Sequence, residues 1–129
     1  MVTFAGIVRG DRHGSRAVRA LCYEAYREMA GPLIQRLVHE ARTRWALEGV
    51  QVCHRLGVVE VGQISVVVVI AAHHRVLAYA ASQFLIEGIK REAPIWKREQ
   101  YDDGSSAWMT ATPELLDVTE PLEVDHAHV

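Results

Sequence analysis

Residues 64–71 read Ile-Ser-Val-Val-Val-Val-Ile-Ala, and no other stretch restricts the fold as much. β-Branched side chains are stiff at χ1 and crowd a helical turn, so the run predicts a strand. Lacking polar alternation, it predicts a strand covered on both faces. The apolar run ends at Ala72, far short of a bilayer span. The next segment has a different period. Leu77, Ala80, Ala81, Phe84, Leu85, Gly88 and Ile89 recur at helical spacing, predicting a helix over 74–91. Pro94 forbids its continuation and pushes Ala93 toward an extended shape. A buried strand that hands over directly to an amphipathic helix requires layers of sheet and helix.

The remaining segments fit that scheme. Residues 2–9 are short and apolar, as a strand would be, and the glycine-bearing GDRHGS at 10–15 reads as a turn. Residues 18–24 alternate and predict a returning strand. Pro32 suits a first helical turn, and Leu33, Ile34, Leu37, Val38, Ala41 and Trp45 then mark one apolar face, with Gly49 as the stop. Strands are expected at 50–55 and 58–61 with a break at Leu56-Gly57, and another short one around Trp108 after a polar loop at 101–106. The element order predicts an α+β fold, a mixed or antiparallel sheet with two main helices. One domain is expected over residues 1–112, followed by an acidic, flexible tail over 113–129.

Composition narrows the function. A formal net charge of -2 over 129 residues gives no global drive toward nucleic acid or an anionic membrane. No basic face with interleaved aromatics marks a nucleic-acid module. Cys22 and Cys53 stand alone in apolar runs and read as buried thiols rather than a disulfide. With no signal peptide expected, the chain reads as cytoplasmic.

Four clusters carry candidate chemistry: Arg9 beside a glycine turn; His54-Arg55; His73-His74-Arg75; and Lys90 with Lys97, Arg98 and Glu99 across Pro94. A strand-to-helix junction favours an anion through its unpaired N–H groups, and Arg75 adds a planar fork that grips phosphate. Lys90 and Lys97 cannot share a helix face, yet they converge if the chain folds back after Pro94. Paired ammonium groups depress each other's pKa, which makes a lysine usable in proton transfer. Each cluster also has a plainer reading. Lysines are mostly solvated surface groups, His54 alternates with Val50 and Val52 like a hydrogen-bonded core histidine, and Trp96 and Trp108 read as packing. Neighbouring His73 and His74 point too far apart to share a metal, so no metal site is expected.

Together these motifs resemble the catalytic (large) subunit of molybdopterin synthase, the MoaE family. The resemblance rests on VTFAGIVR at 2–9, YEAY at 23–26, HRLG at 54–57, AHHR at 72–75 and IKREAPIWKRE at 89–99, in that order. It spans residues 2–109, with this chain short at its N-terminus. The resemblance implies an α/β hammerhead-type fold and a sulfurtransferase that needs no cofactor. It also implies a homodimer within a heterotetramer, with a small ubiquitin-like subunit delivering sulfur from its C-terminal thiocarboxylate. The implied substrate is cyclic pyranopterin monophosphate (precursor Z), converted to the dithiolene of molybdopterin. Lys90 and Lys97 match the family's critical lysines; Ile7, Val8, Arg9, His74, Arg75, Arg98 and Glu99 match its substrate contacts. Two other readings are a scaffold of the same fold without catalysis, and a small anion-binding regulatory module.

Overall fold

The structure, a computed structural model, describes residues 1–103 and 114–120. Seven strands and two helices follow in the order β1 (Val2–Ile7), β2 (Arg12–His13), β3 (Arg16–Ala25), α1 (Arg27–Trp45), β4 (Gly49–Glu60), β5 (Ile64–Ala71), α2 (Arg75–Glu92), β6 (Ile95–Tyr101) and β7 (Glu114–Glu120). The sheet runs β1-β5-β4-β3-β2, with β6 also on β3 and β7 on β4. Every pairing is antiparallel, which settles the mixed-or-antiparallel expectation. The α+β class predicted from the element order holds.

β5 occupies the predicted residues, but the helices cover only one of its faces. Val68 and Ile70 are fully buried with helix residues Ile34, Val38, Ala81 and Leu85, whereas Val67 and Val69 on the other face stay partly exposed. Burying each such large side chain contributes roughly 1.5–3 kcal/mol, so this layer is the main store of stability. The helices meet closely where Gly88 faces Leu37; a Cβ at Gly88 would lie 3.2 Å from both Leu37 methyls.

α1 starts earlier than Pro32 suggested. Tyr26 precedes the first turn, its carbonyl accepting from the Ala30 N–H at 2.8 Å, and Pro32 sits inside the helix. The proline removes the bond to the Glu28 carbonyl, a cost accepted here because Ala30 and Ile34 are wholly buried on either side. The helix also stops before Gly49. Ala46 adopts the left-handed conformation, φ 49°, and its N–H bonds the Arg42 carbonyl.

Two further expectations are corrected. The break at Leu56-Gly57 is internal to one long strand: Gly57 takes φ 90°, and there β4 exchanges neighbours. Its first part pairs with β5 and β7, while residues 57–60 pair with β3. Glycine supplies the positive φ that lets the strand turn from one partner to the next. The tail expected over 113–129 holds β7 at Glu114–Glu120, paired along β4. Leu116 is buried, and the strand's two terminal carboxylates are held by α1, Glu114 by Arg27 and Glu120 by Arg42. The acidic residues that read as a solvated tail are therefore partly tethers. The expected strand at Trp108 lies outside the described residues.

Candidate functional site

The bend at Gly57 leaves two apolar clusters. One lies under the helices, and the other comprises Val8, Val18, Leu21 and Val59. Between them opens a cleft of about 560 Å³, lined by residues of both. Its walls come from the end of β1 (Ile7, Val8, Arg9), the start of β5 (Ser65, Val66), the end of α2 (Ile89, Lys90), and β6 (Trp96, Lys97, Glu99). Tyr23 of β3 and His54 of β4 close its inner end.

Local sequence explains each placement. β1 and β5 shift register between Gly6 and Ile7, so Gly6 faces Val66 while Ile7 faces Ile64. The skipped Ser65 donates its hydroxyl to the Gly6 carbonyl at 3.3 Å. A Cβ at Gly6 would come within 2.8 Å of the Val66 side chain, so this approach requires glycine. Such a bulge redirects the strand end, here carrying Arg9 to the cleft mouth. Pro94 does what the fold-back reading required: Ala93 is extended, the Tyr26 N–H donates to the Pro94 carbonyl at 3.0 Å, and β6 returns along β3. Lys90 and Lys97 thereby line one cleft from opposite sides of the turn.

The charged groups here are not equivalent. Arg9 meets Asp11 at 3.6 Å, but both are largely exposed, so the pair contributes little to stability. Glu99 is more firmly held. The Tyr101 hydroxyl donates to it at 2.8 Å, and His13 Nε2 stands 3.0 Å from the same oxygen. The Tyr101 hydrogen bond, helped by His13 and Lys97, holds the Glu99 carboxyl below the usual carboxylate range although desolvation opposes it. Tyr101 is pushed up by the same bond. The Arg16 guanidinium lies 4.4 Å above the Tyr101 ring.

His54 is the buried titratable group of the cleft, 7% exposed. Its Nδ1 lies 2.7 Å from the Arg55 carbonyl, and its ring meets Tyr23 edge-on at 4.9 Å. Burial lowers its pKa, the backbone bond opposing. The alternation with Val50 and Val52 correctly indicated an inward-facing histidine; that it also borders the cleft depends on β3 and β6, which no local pattern encodes.

Of the residues singled out from sequence, Ile7, Val8, Arg9, Lys90, Lys97 and Glu99 come together here. Arg98 does not. Strand alternation turns it to the opposite face of β6 from Lys97 and Glu99, across from Cys22 in register. His74 and Arg75 also stand apart, exposed at the start of α2. A rise of about 1.5 Å per residue puts Arg75 about 22 Å from Lys90 along that helix. His73 pairs with Glu48 at 2.6 Å. Among the described residues, no group of three or more His, Cys, Asp or Glu side chains is arranged to hold a metal ion. Tyr23, Ser65 and the half-exposed Trp96 line the cleft without having been singled out; Trp96 had read as packing. Among the described residues, no helix is long and apolar enough to cross a membrane.

The chain has clear relatives among known proteins. Residues 1–92 match the family model described as MoaE protein. A molybdopterin synthase catalytic subunit from Thermoplasma volcanium is 43% identical over 108 residues, covering 84% of this chain and 78% of that one. The crystal structure of molybdopterin synthase from Staphylococcus aureus superposes with a TM-score of 0.74 at 33% identity, covering 85% of this chain and 79% of that one. A complex of subunits 1 and 2 of the molybdopterin-converting factor from Helicobacter pylori gives a TM-score of 0.68 at 25% identity, covering 84% and 70%. With a family model spanning most of its length and relatives this similar, the chain belongs to the MoaE family.

Proposed function

We propose that this chain is the catalytic subunit of a molybdopterin synthase in molybdenum cofactor biosynthesis. It transfers sulfur from the C-terminal thiocarboxylate of a small ubiquitin-like partner to cyclic pyranopterin monophosphate, in the cytoplasm. The observation that carries this reading is the convergence of Lys90 and Lys97, from the two sides of Pro94, on one cleft.

The cleft's chemistry suits the reaction. It is open at Arg9, apolar along Ile7, Val66 and Ile89, and cationic where Lys90 and Lys97 enter. An extended anionic tail and a phosphate-bearing heterocycle both carry negative charge that these cations would neutralise. Lys90 is assigned to the thiocarboxylate carbonyl, where negative charge develops as water adds and the acyl carbon–sulfur bond breaks, leaving the tail a carboxylate. Lys97 and Glu99 are assigned to proton movement as the carbon–sulfur bond forms. Glu99, kept ionised by Tyr101 and His13, is suited to accept rather than donate.

His74 and Arg75 enter the same proposal only through a second copy of the chain. One α2 cannot bring both its ends to one small substrate, so in a homodimer these residues would serve the partner's cleft. Conversion of cyclic pyranopterin monophosphate tests the reading, with the thiocarboxylated partner supplied and product followed as its oxidised fluorescent pterin. The wild type should turn over and Lys90→Ala should not. Partner binding without turnover in the wild type would favour a scaffold instead.

A further inference from the structure

His54 offers the cleft something none of its cations can, a hydrogen-bond acceptor built into the apolar floor. The ring is more than nine-tenths buried on β4, between Val52 and Leu56 on the helix-facing side. Its Nδ1 lies 2.7 Å from the Arg55 carbonyl. A carbonyl only accepts, so Nδ1 carries the hydrogen and Nε2 bears the lone pair. Nε2 has no protein partner among the described residues. Nor, among them, is any wholly buried side-chain nitrogen or oxygen left unpaired, so Nε2 meets the cleft. The edge-on Tyr23 ring at 4.9 Å and the backbone bond together fix the ring's plane. A nitrogen acceptor held this firmly at the foot of a cleft is costly unless something donates to it.

We infer that His54 is a substrate-binding residue: its neutral Nε2 accepts a hydrogen bond from a ring N–H or hydroxyl of the heterocycle bound in the cleft. This deepens the pterin-sulfuration reading and rests on it for the identity of the ligand. The charged groups lining the cleft are Lys90 from α2, Lys97 and Glu99 from β6, and Arg9 and Asp11 beyond β1, with the Tyr23 phenol from β3. β5 and β7 present Ser65, Val66 and Leu116, all uncharged. The cations address the phosphate and the thiocarboxylate; His54 reads the donor pattern of the ring itself. Burial disfavours the imidazolium, which keeps the acceptor available.

Two amide substitutions separate this role from a structural one. His54→Asn places its amide where Nδ1 stands, so the bond to Arg55 survives while the cleft acceptor is lost. His54→Gln reaches the position of Nε2 and restores an acceptor there. In the complete enzyme with its thiocarboxylated partner, His54→Asn should raise the KM for cyclic pyranopterin monophosphate about tenfold, the usual effect of losing one hydrogen bond to a buried group. Affinity for the partner should not change, and His54→Gln should recover most of the loss. The reverse order, with Asn active and Gln impaired, would overturn the inference and leave His54 a packing residue. A second readout covers variants that fold poorly: 15N signals of the His54 ring in the wild type, with and without the pterin. Nε2 should appear unprotonated and shift on saturation, and an unmoved Nε2 would overturn the inference. Absence of turnover in the wild type would sink the sulfur-transfer reading alone, because the ring signal reports contact whether or not chemistry occurs.

Discussion

The two ends of α2 differ in what surrounds them. At its C-terminal end, Lys90 shares a cleft with groups from β1, β3, β4, β5 and β6, and Pro94 brings Lys97 back beside it. At its N-terminal end, His74 and Arg75 stand exposed after β5, with no side-chain cap among the described residues and outside the cleft that holds Lys90. Both ends carry exposed cations suited to phosphate, yet only at the C-terminal end do two of them line a shared cleft. A helix start has the right dipole for an anion, but the dipole is a weak, screened contribution, whereas groups converging on one cleft can each contact the same ligand. Residues matched to one site by resemblance therefore need not meet within one chain. About 22 Å of helix keeps these apart.

The largest effect is expected at the cleft end. Lys97→Ala should reduce sulfur transfer by about 10²–10⁴, the range for losing a positioned proton donor or acceptor. Its thermal midpoint should stay near that of the wild type, since the lysine is exposed. Calorimetry beside the transfer assay checks both halves. The N-terminal end is tested by mixing. If Arg75 serves the cleft of a second copy, Arg75→Ala and Lys97→Ala proteins should each be inactive. Unfolded and refolded together, they should recover up to about a quarter of wild-type activity, the share of intact sites in random dimers. Full activity in Arg75→Ala alone would remove that end from the reaction and leave the two ends unequal in function as well as in surroundings.

Smaller effects probe the frame that holds the cleft. Gly57→Ala forces a side chain into φ 90° where β4 changes partners. It should cost about 1–3 kcal/mol in urea unfolding, with transfer activity falling as the two clusters lose their relative placement. The smallest effect is the pH dependence of His54. Its folded pKa is lowered, so below about 6.5 the unfolded chain takes up a proton that the folded chain refuses. Stability contributed by the neutral ring is therefore full above that value and declines as pH falls, until the folded ring titrates as well. Urea midpoints taken between about pH 7 and about pH 5.5 should drift downward in the wild type and less in His54→Gln. Glu99, with its pKa also lowered, acts in a separate window that opens only below about 4.5.

Much of this was legible in the residues. The β-branched run at 64–71 marked β5 to the residue, and Pro94 marked the end of α2 and the fold-back, because both act through local sterics. The start of α1 was less legible, since Pro32 is tolerated inside a helix whose neighbours are buried. β7 was hidden because four of its seven residues are polar or acidic at the ladder's edge, and its meaning depends on arginines in α1. Gly57 read as a break because a positive φ looks the same whether a strand ends or changes partner. The lining of the cleft followed the same rule. Lys90, Lys97 and Glu99 were found through their motif, whereas the place of Tyr23, Ser65 and His54 in the cleft needed the three-dimensional crossing of β3, β4 and β5.

Everything proposed for the reaction requires sulfur transfer to occur in the cleft on one face of β6. Lys97 and Arg98 are adjacent cations on that strand, one turned to the cleft and the other to the opposite face beside Cys22. The decisive measurement is single-turnover transfer to cyclic pyranopterin monophosphate by Lys97→Ala and Arg98→Ala side by side. Lys97→Ala should lose transfer, and Arg98→Ala should keep most of it. Transfer that survives in Lys97→Ala but fails in Arg98→Ala would contradict this placement and move the chemistry to the other face of the sheet.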